Sequence, residues 1–167
     1  LKRRQRRLQR LSHSPYFGRI DLHDQHLTRT LYIGTGSLTD QTNDRFLIYD
    51  WRSPIAELYY TGGLGPSTYT TPNGAKTVNL IKKRQFRILQ AQIKNVFDTN
   101  STIGDDLLQT ILGQPARQHM RHIVETIQQE QNAIIRDVTA DALIVQGAAG
   151  SGKTAAVLQR VAYLLYH

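Results

Sequence analysis

A chain of 167 residues with 40% hydrophobic content can bury one ordinary core or two small ones, and none of its apolar runs approaches the roughly 20 residues that cross a bilayer. The absence of cysteine excludes disulfides, zinc–thiolate sites and thiol nucleophiles, and fits a cytoplasmic protein without a membrane partner. The formal charge of +8 is local, because Lys2, Arg3, Arg4, Arg6, Arg7 and Arg10 share an acid-free segment while residues 12–167 hold 15 basic against 13 acidic side chains.

In chain order, residues 1–13 read as the end of a basic coiled-coil arm, with Leu1, Leu8 and Leu11 at a/d-like spacing. Such an arm is either drawn to polyanions by counterion release or is simply the solvated face of a helix. Ser12–Pro15 supplies turn formers and a proline that end it. Residues 14–98 have the composition of an antiparallel β-rich module, with strands expected at Tyr16–Leu22, Thr28–Ile33, Phe46–Asp50, Ala56–Thr61 and Phe86–Leu89. Glycine-rich residues 62–67 and Pro72–Gly74 punctuate them. Asp50–Ile55 is expected to be a turn between two strands, with Pro54 fixing φ and Trp51 plugging the core.

Residues 99–167 change to a helical period. Ile103, Leu107, Leu108, Ile111 and Leu112 mark one face, and Met120, Ile123, Val124 and Ile127 another. Asp105 and Asp106 suit a helix start rather than catalysis. Thr126 and Gln129 form a T-x-x-Q capping box opening a third helix that runs to Arg136. Ala142–Gln146 (A-L-I-V-Q) then has the apolar character of a buried parallel strand, and Lys153–Tyr166 that of a helix. The fold class is therefore α+β: a coiled-coil stump, a β-rich module, then helices and one strand–loop–helix unit.

Between that strand and helix, G-A-A-G-S-G-K-T at 147–154 matches the phosphate-loop pattern G-x-x-x-x-G-K-[ST] in full. Gly147, Gly150 and Gly152, with Ala148, Ala149 and Ser151, let the backbone curl with its N–H groups inward around a phosphate. Lys153 is placed to reach the β- and γ-phosphates of ATP, Thr154 to offer its hydroxyl to Mg²⁺, and Ala155 continues the helix whose N-terminus faces the anion.

With these residues in view, Thr126–Arg136 (T-I-Q-Q-E-Q-N-A-I-I-R), the loop and L-Q-R-V-A-Y-L-L-Y at 158–166 resemble superfamily I helicases of the HelD or helicase IV-like branch. The resemblance extends to S-P-Y-F-G-R-I-D at 14–21, Y-I-G at 32–34, D-W-R-S-P-I at 50–55 and K-R-Q-F at 83–86. It implies a RecA-like motor domain beginning at the strand–loop–helix unit. It implies that Gln131, 16 residues before Gly147, reads the adenine. It also implies partners: bacterial RNA polymerase, released and recycled using ATP, and DNA or other nucleic acid.

Two other readings stay open. The β-rich module and basic arm would form a binding module for polymerase or nucleic acid, with the loop as a nucleotide-gated regulator, or the loop would belong to another P-loop ATPase or kinase. The H-x-x-H pairs at His23/His26 and His119/His122 have no cysteines beside them and read as surface histidines. Hydrolysis needs an acidic Mg²⁺ partner and an arginine finger, which superfamily I enzymes carry after the phosphate loop, and His167 is read as a boundary within a longer protein. Residues 1–167 are accordingly expected to show no ATP turnover above a Lys153→Ala control in a steady-state phosphate-release assay.

Overall fold

Apolar residues at every second position build the first hairpin. Ile20 and Leu22 lie on one face of a strand, and Leu31 and Ile33 of the next strand meet them there, none more than 5% exposed. These positions come from a computed structural model, which describes residues 8–9, 11–25, 27–61, 63–99 and 129–167. Strands β1 (Gly18–Asp24) and β2 (Leu27–Gly34) form that antiparallel pair. With β3 (Leu38–Thr39), β4 (Phe46–Asp50), β5 (Gly65–Thr71), β6 (Gly74–Leu89) and β7 (Gln92–Thr99) they make a 7-stranded sheet. Its order is β3-β4-β2-β1-β6-β5, with β7 also on β6, and among these pairings only β2–β4 is parallel.

Between β4 and β5 the chain does not continue as a strand. Pro54–Ala56 forms a 3-10 turn and Glu57–Tyr60 a single helical turn, α1, in place of the expected strand at Ala56–Thr61. Pro54 presets the helical φ at the first position, and Leu58, Tyr59 and Tyr60 are all buried in succession. A strand with one face in water would turn alternate residues outward, and the helical turn instead buries all three. The Asp50–Ile55 turn thus joins a strand to a helix, and Trp51 is only 4% exposed, as expected of a core plug.

The sheet is larger than its sequence signals. The expected strand at Phe86–Leu89 is the end of β6, which is 16 residues long and bulged at Ile81, opposite Asp21/Leu22, while opposite its Arg87/Ile88 the extra residue is Lys94 of β7. The bulge at Ile81 resets the alternation and hides a continuous strand from a period-2 reading. Gly65–Ser67, expected to punctuate, begins β5 instead. The β6–β7 turn is made by Gln90 and Ala91 at φ 51° and 62°, a left-handed pair normally signalled by Asn-Gly. Pro72 and Asn73 do form the expected turn between β5 and β6.

Residues 8–9 and 11–13 are helical, and the helix stops before Ser14 as expected. Leu11 is buried and Leu8 exposed, while the His13 carbonyl accepts the Ala91 N–H at 2.9 Å. The rest of the arm, Leu1 included, lies outside the described residues.

The chain divides into two compact units, Leu1–Thr102 and Ile103–His167. In the second, α2 (Gln129–Arg136) and α3 (Lys153–Leu164) pack together around Asn132, Ile135, Ala156, Gln159 and Tyr163, all buried. Ala142–Gln146 forms no strand: Ile144 is 84% exposed and Leu143 39%. A strand exists only by pairing, and among the described residues of this unit there is no other strand to pair with. The helices expected at Ile103–Leu112 and Met120–Ile127, with Asp105, Asp106 and Thr126, lie outside the described residues. No helix among the described residues is long and apolar enough to cross a membrane.

Gly34 is where three segments of the first unit converge. It pairs with Asp50 across β2–β4, its carbonyl accepts the Trp51 N–H at 2.9 Å, and the Pro15 carbonyl lies against its Cα. A Cβ here would overlap that carbonyl oxygen and press on Ile48 Cγ2 at 3.0 Å. Gly34→Ala is expected to cost about 1–3 kcal/mol, read as a lower urea midpoint at unchanged slope. Gly36→Ala, where a Cβ meets nothing within 4 Å, is the control and should stay within about 1 kcal/mol of wild type.

Candidate functional site

The phosphate-loop residues form an irregular turn that runs into α3. Ser151 N–H donates to the Ala148 carbonyl at 3.3 Å, Gly150 and Gly152 sit at φ 80° and 79°, and Gly152 caps the helix that Lys153 opens. Those left-handed angles are the ones a loop needs to turn its amides inward, and a side chain would strain both. Gly147, Ala148, Ala149, Ser151 and Thr154 are exposed, and Ala155 is half-buried.

Lys153 is folded back over the loop. Its ammonium donates to the Gly147 carbonyl at 2.8 Å and the Ala148 carbonyl at 2.6 Å. The cation is therefore held at the loop mouth before any anion arrives. Gly147 lies directly beneath, where a Cβ would stand 2.8 Å from Ser151 Oγ. Around this point the first turn of α3 presents N–H groups that have no acceptor within the helix. A held cation, helix N-terminal amides and the exposed Thr154 therefore stand together at the start of α3. The described residues include no group of three or more His, Cys, Asp or Glu side chains that could hold a metal ion.

Gln131, predicted from sequence alone, is brought to the same place. From the first turn of α2 its Nε2 donates to the Ser151 carbonyl at 3.3 Å, and a Cβ on Gly152 would stand 2.7 Å from that nitrogen. Gly152 is thus required by its φ, and the Gln131 amide sits against its Cα.

Sequence reasoning gave no role to Arg160, Arg136 or Asn132, which hold α2 on α3. Arg136 Nε donates to Asn132 Oδ1 at 2.9 Å, and its guanidinium lies 5.1 Å from the Tyr163 ring centroid. Arg160 donates to backbone carbonyls of Ile134 and Asp137. The available signal was a set of polar residues, Gln159 and Arg160, inside an otherwise apolar helix. The Asp137 carboxyl is turned to Thr139, whose hydroxyl and N–H hold it below the usual carboxylate range.

In the first unit, three of the four upstream sequence marks share one cross-strand row, Ile33–Gly18–Gln85, from β2 through β1 to β6, and the fourth adjoins it where Asp50 of β4 pairs with Gly34. Phe17 N–H donates to the Ile33 carbonyl and Phe86 N–H to the Phe17 carbonyl, at 2.9 and 2.8 Å. At one end Asp50, 2% exposed, accepts from Arg52 N, Nε and Nη2 at 2.9, 2.8 and 2.7 Å. At the other, Lys83 is 1% exposed and donates to the carbonyls of Tyr59 and Thr61 at 3.3 and 2.7 Å. This lysine caps the C-terminal end of α1, where carbonyls lack helical partners. His23 lies beside Thr28, with its Nδ1 3.2 Å from the hydroxyl, and His26, His119 and His122 lie outside the described residues.

The family described as DNA helicase IV HelD, N-terminal domain, matches residues 1–111, and the chain belongs to that family. It is a HelD-like helicase N-terminal region. A search of curated proteins returned no match. The matched stretch contains all four upstream marks, and the phosphate loop at 147–154 follows it.

Burial pushes the Lys83 ammonium down to about 8, against an ordinary value of 10.5. Between those values the unfolded chain binds more protons than the folded one, so this residue makes stability rise as pH climbs through that window. Urea unfolding at about pH 7 and about pH 10 should show wild type gaining stability relative to Lys83→Met. Identical pH dependence in the two proteins would count against an ammonium held in the core.

Proposed function

We propose that this chain is the ATP-binding N-terminal part of a HelD-like superfamily I helicase or translocase. In the intact protein, ATP hydrolysis is coupled to remodelling of nucleic acid or to release and recycling of RNA polymerase. The observation that carries the nucleotide reading is the Gln131 amide seated against the phosphate loop, 3.3 Å from the Ser151 carbonyl. Adenine presents a donor and an acceptor side by side, and a glutamine amide offers the complementary pair.

In this reading the loop amides and Lys153 hold the β- and γ-phosphates, Thr154 ligates Mg²⁺, and Gln131 reads the base. Bound ATP supplies the phosphoanhydride whose cleavage drives the motor. Lys153, already held over the loop by two carbonyls, moves only its ammonium to meet a phosphate, so little ordering remains to be done on binding. The exposed apolar side chains Val157, Leu158, Val161 and Leu164 on α3, with Ile144, support Ala142–Gln146 as a strand of a RecA-like parallel sheet whose other strands come from elsewhere in the intact protein.

A second reading has its own support, since the family match falls on the sheet unit rather than on the loop. In it the module docks on RNA polymerase or nucleic acid, and the nucleotide regulates that contact.

Fluorescent ATP titrated into wild type, Lys153→Ala and Gln131→Ala tests the site. Lys153→Ala should weaken ATP about 10- to 100-fold, the size of one charge-assisted hydrogen bond. Gln131→Ala should weaken ATP but leave inorganic tripolyphosphate unchanged. Equal ATP affinity in all three proteins would end the nucleotide reading.

A further inference from the structure

An amide that reads a base must be held to within a few tenths of an ångström, and Gln131 stands on α2. Sliding α2 by one residue would move every side chain on it by about 1.5 Å. Something outside α2 must therefore fix its axial position.

Near its described start, α2 is tied to the loop by Gln131, through the Ser151 carbonyl. At the C-terminal end Arg160 Nη1 donates to the Ile134 carbonyl at 2.7 Å and also to the Asp137 carbonyl. These carbonyls belong to the last turn and first residue beyond it, where the helix leaves acceptors unpaired and carries its negative dipole end. A guanidinium satisfies both needs and, being planar and permanently charged, fixes geometry more tightly than a lysine. Asp137 does not draw it away, because its carboxylate bonds to Thr139 N–H and hydroxyl at 2.9 and 2.7 Å.

Arg160 lies 7 residues beyond Lys153 on the same helix, which returns it to the same face two turns on. One rigid element thus carries the phosphate cation at its start and the clamp on the glutamine's helix near its end. Between them Ile135 packs at 0% exposure, and Arg136 spans Asn132 and the Tyr163 ring. Apolar packing fixes the distance between the helices but tolerates sliding; directional hydrogen bonds to two carbonyls do not.

We propose that Arg160 is the positioning residue for Gln131, holding the register of α2 on α3 and thereby setting the preference for adenine over guanine nucleotides. It touches neither base nor phosphate, and the inference rests on the nucleotide reading given above. Guanine presents two acceptors where adenine presents a donor and an acceptor, so an amide in register discriminates and a displaced one does not.

The test is the ratio of ATP to GTP affinity, with inorganic tripolyphosphate as a probe of the loop alone, in the full 167-residue chain. Gln131→Ala should lower the ratio by about 10-fold or more, the discrimination given by one paired amide contact. Arg160→Ala should lower it equally while tripolyphosphate affinity holds. Arg160→Lys, which keeps the charge but reaches one carbonyl at a time, should lie between. Gln131→Ala/Arg160→Ala should fall no further than either single variant, because the two act as one unit.

An unchanged ratio in Arg160→Ala, additive losses in the double variant, or an equal loss of tripolyphosphate binding in both Arg160 variants would each overturn the proposal. Failure of wild type to bind ATP in a Lys153-dependent way would instead overturn the nucleotide reading, and this proposal with it.

Discussion

A hydrogen atom where other residues carry a carbon lets two backbones meet at Gly34 and lets an amide reach the phosphate loop at Gly152. In the first unit, the Pro15 carbonyl, the Ile48 side chain and the Trp51 N–H all close on Gly34. In the second, Gln131 Nε2 occupies the space a Cβ of Gly152 would fill. At Gly34 the neighbours are backbone and a packed side chain, so the elements there are fixed by how near they can come, whereas the Gln131 amide is the end of a flexible side chain.

The row of family marks in the sheet follows from the first contact. With Gly34 seated, β4 lies parallel to β2 and delivers Asp50 and Trp51 to the core edge, and the 3-10 turn and α1 fold back over Gly18. Two charged groups are buried as a result, and each is answered locally. Asp50 is wrapped by Arg52 backbone and side chain, and Lys83 caps the carbonyl end of α1. Buried charges of this kind stabilise little in themselves, but an uncompensated one is costly, which ties the identities of these residues to the packing around them.

In the second unit, the helices α2 and α3 convert a short motif into a site. The glycine pattern of the loop alone is one that many ATPases and kinases share. Its pairing with Gln131 depends on α2 being held at both ends, by Ser151 and by Arg160, and on the Asn132–Arg136–Tyr163 contacts between them.

By itself the sequence determined the glycine-rich turn at 147–152, the helix that follows it, the Pro72–Asn73 turn, Trp51 as a core residue and the β-rich character of the first unit. Each is local: a glycine spacing, a turn dipeptide, a large apolar side chain or an alternating run carries its own physical requirement. Only the tertiary structure decided that residues 56–60 form a helical turn, that β6 runs unbroken through a bulge at Ile81, and that Gln90 and Ala91 adopt left-handed angles to start β7. It also decided that A-L-I-V-Q stays unpaired among the described residues and that Arg160 reaches the end of α2. Strand pairing and helix clamping depend on partners remote in the chain, and the propensities of a short window contain no term for them.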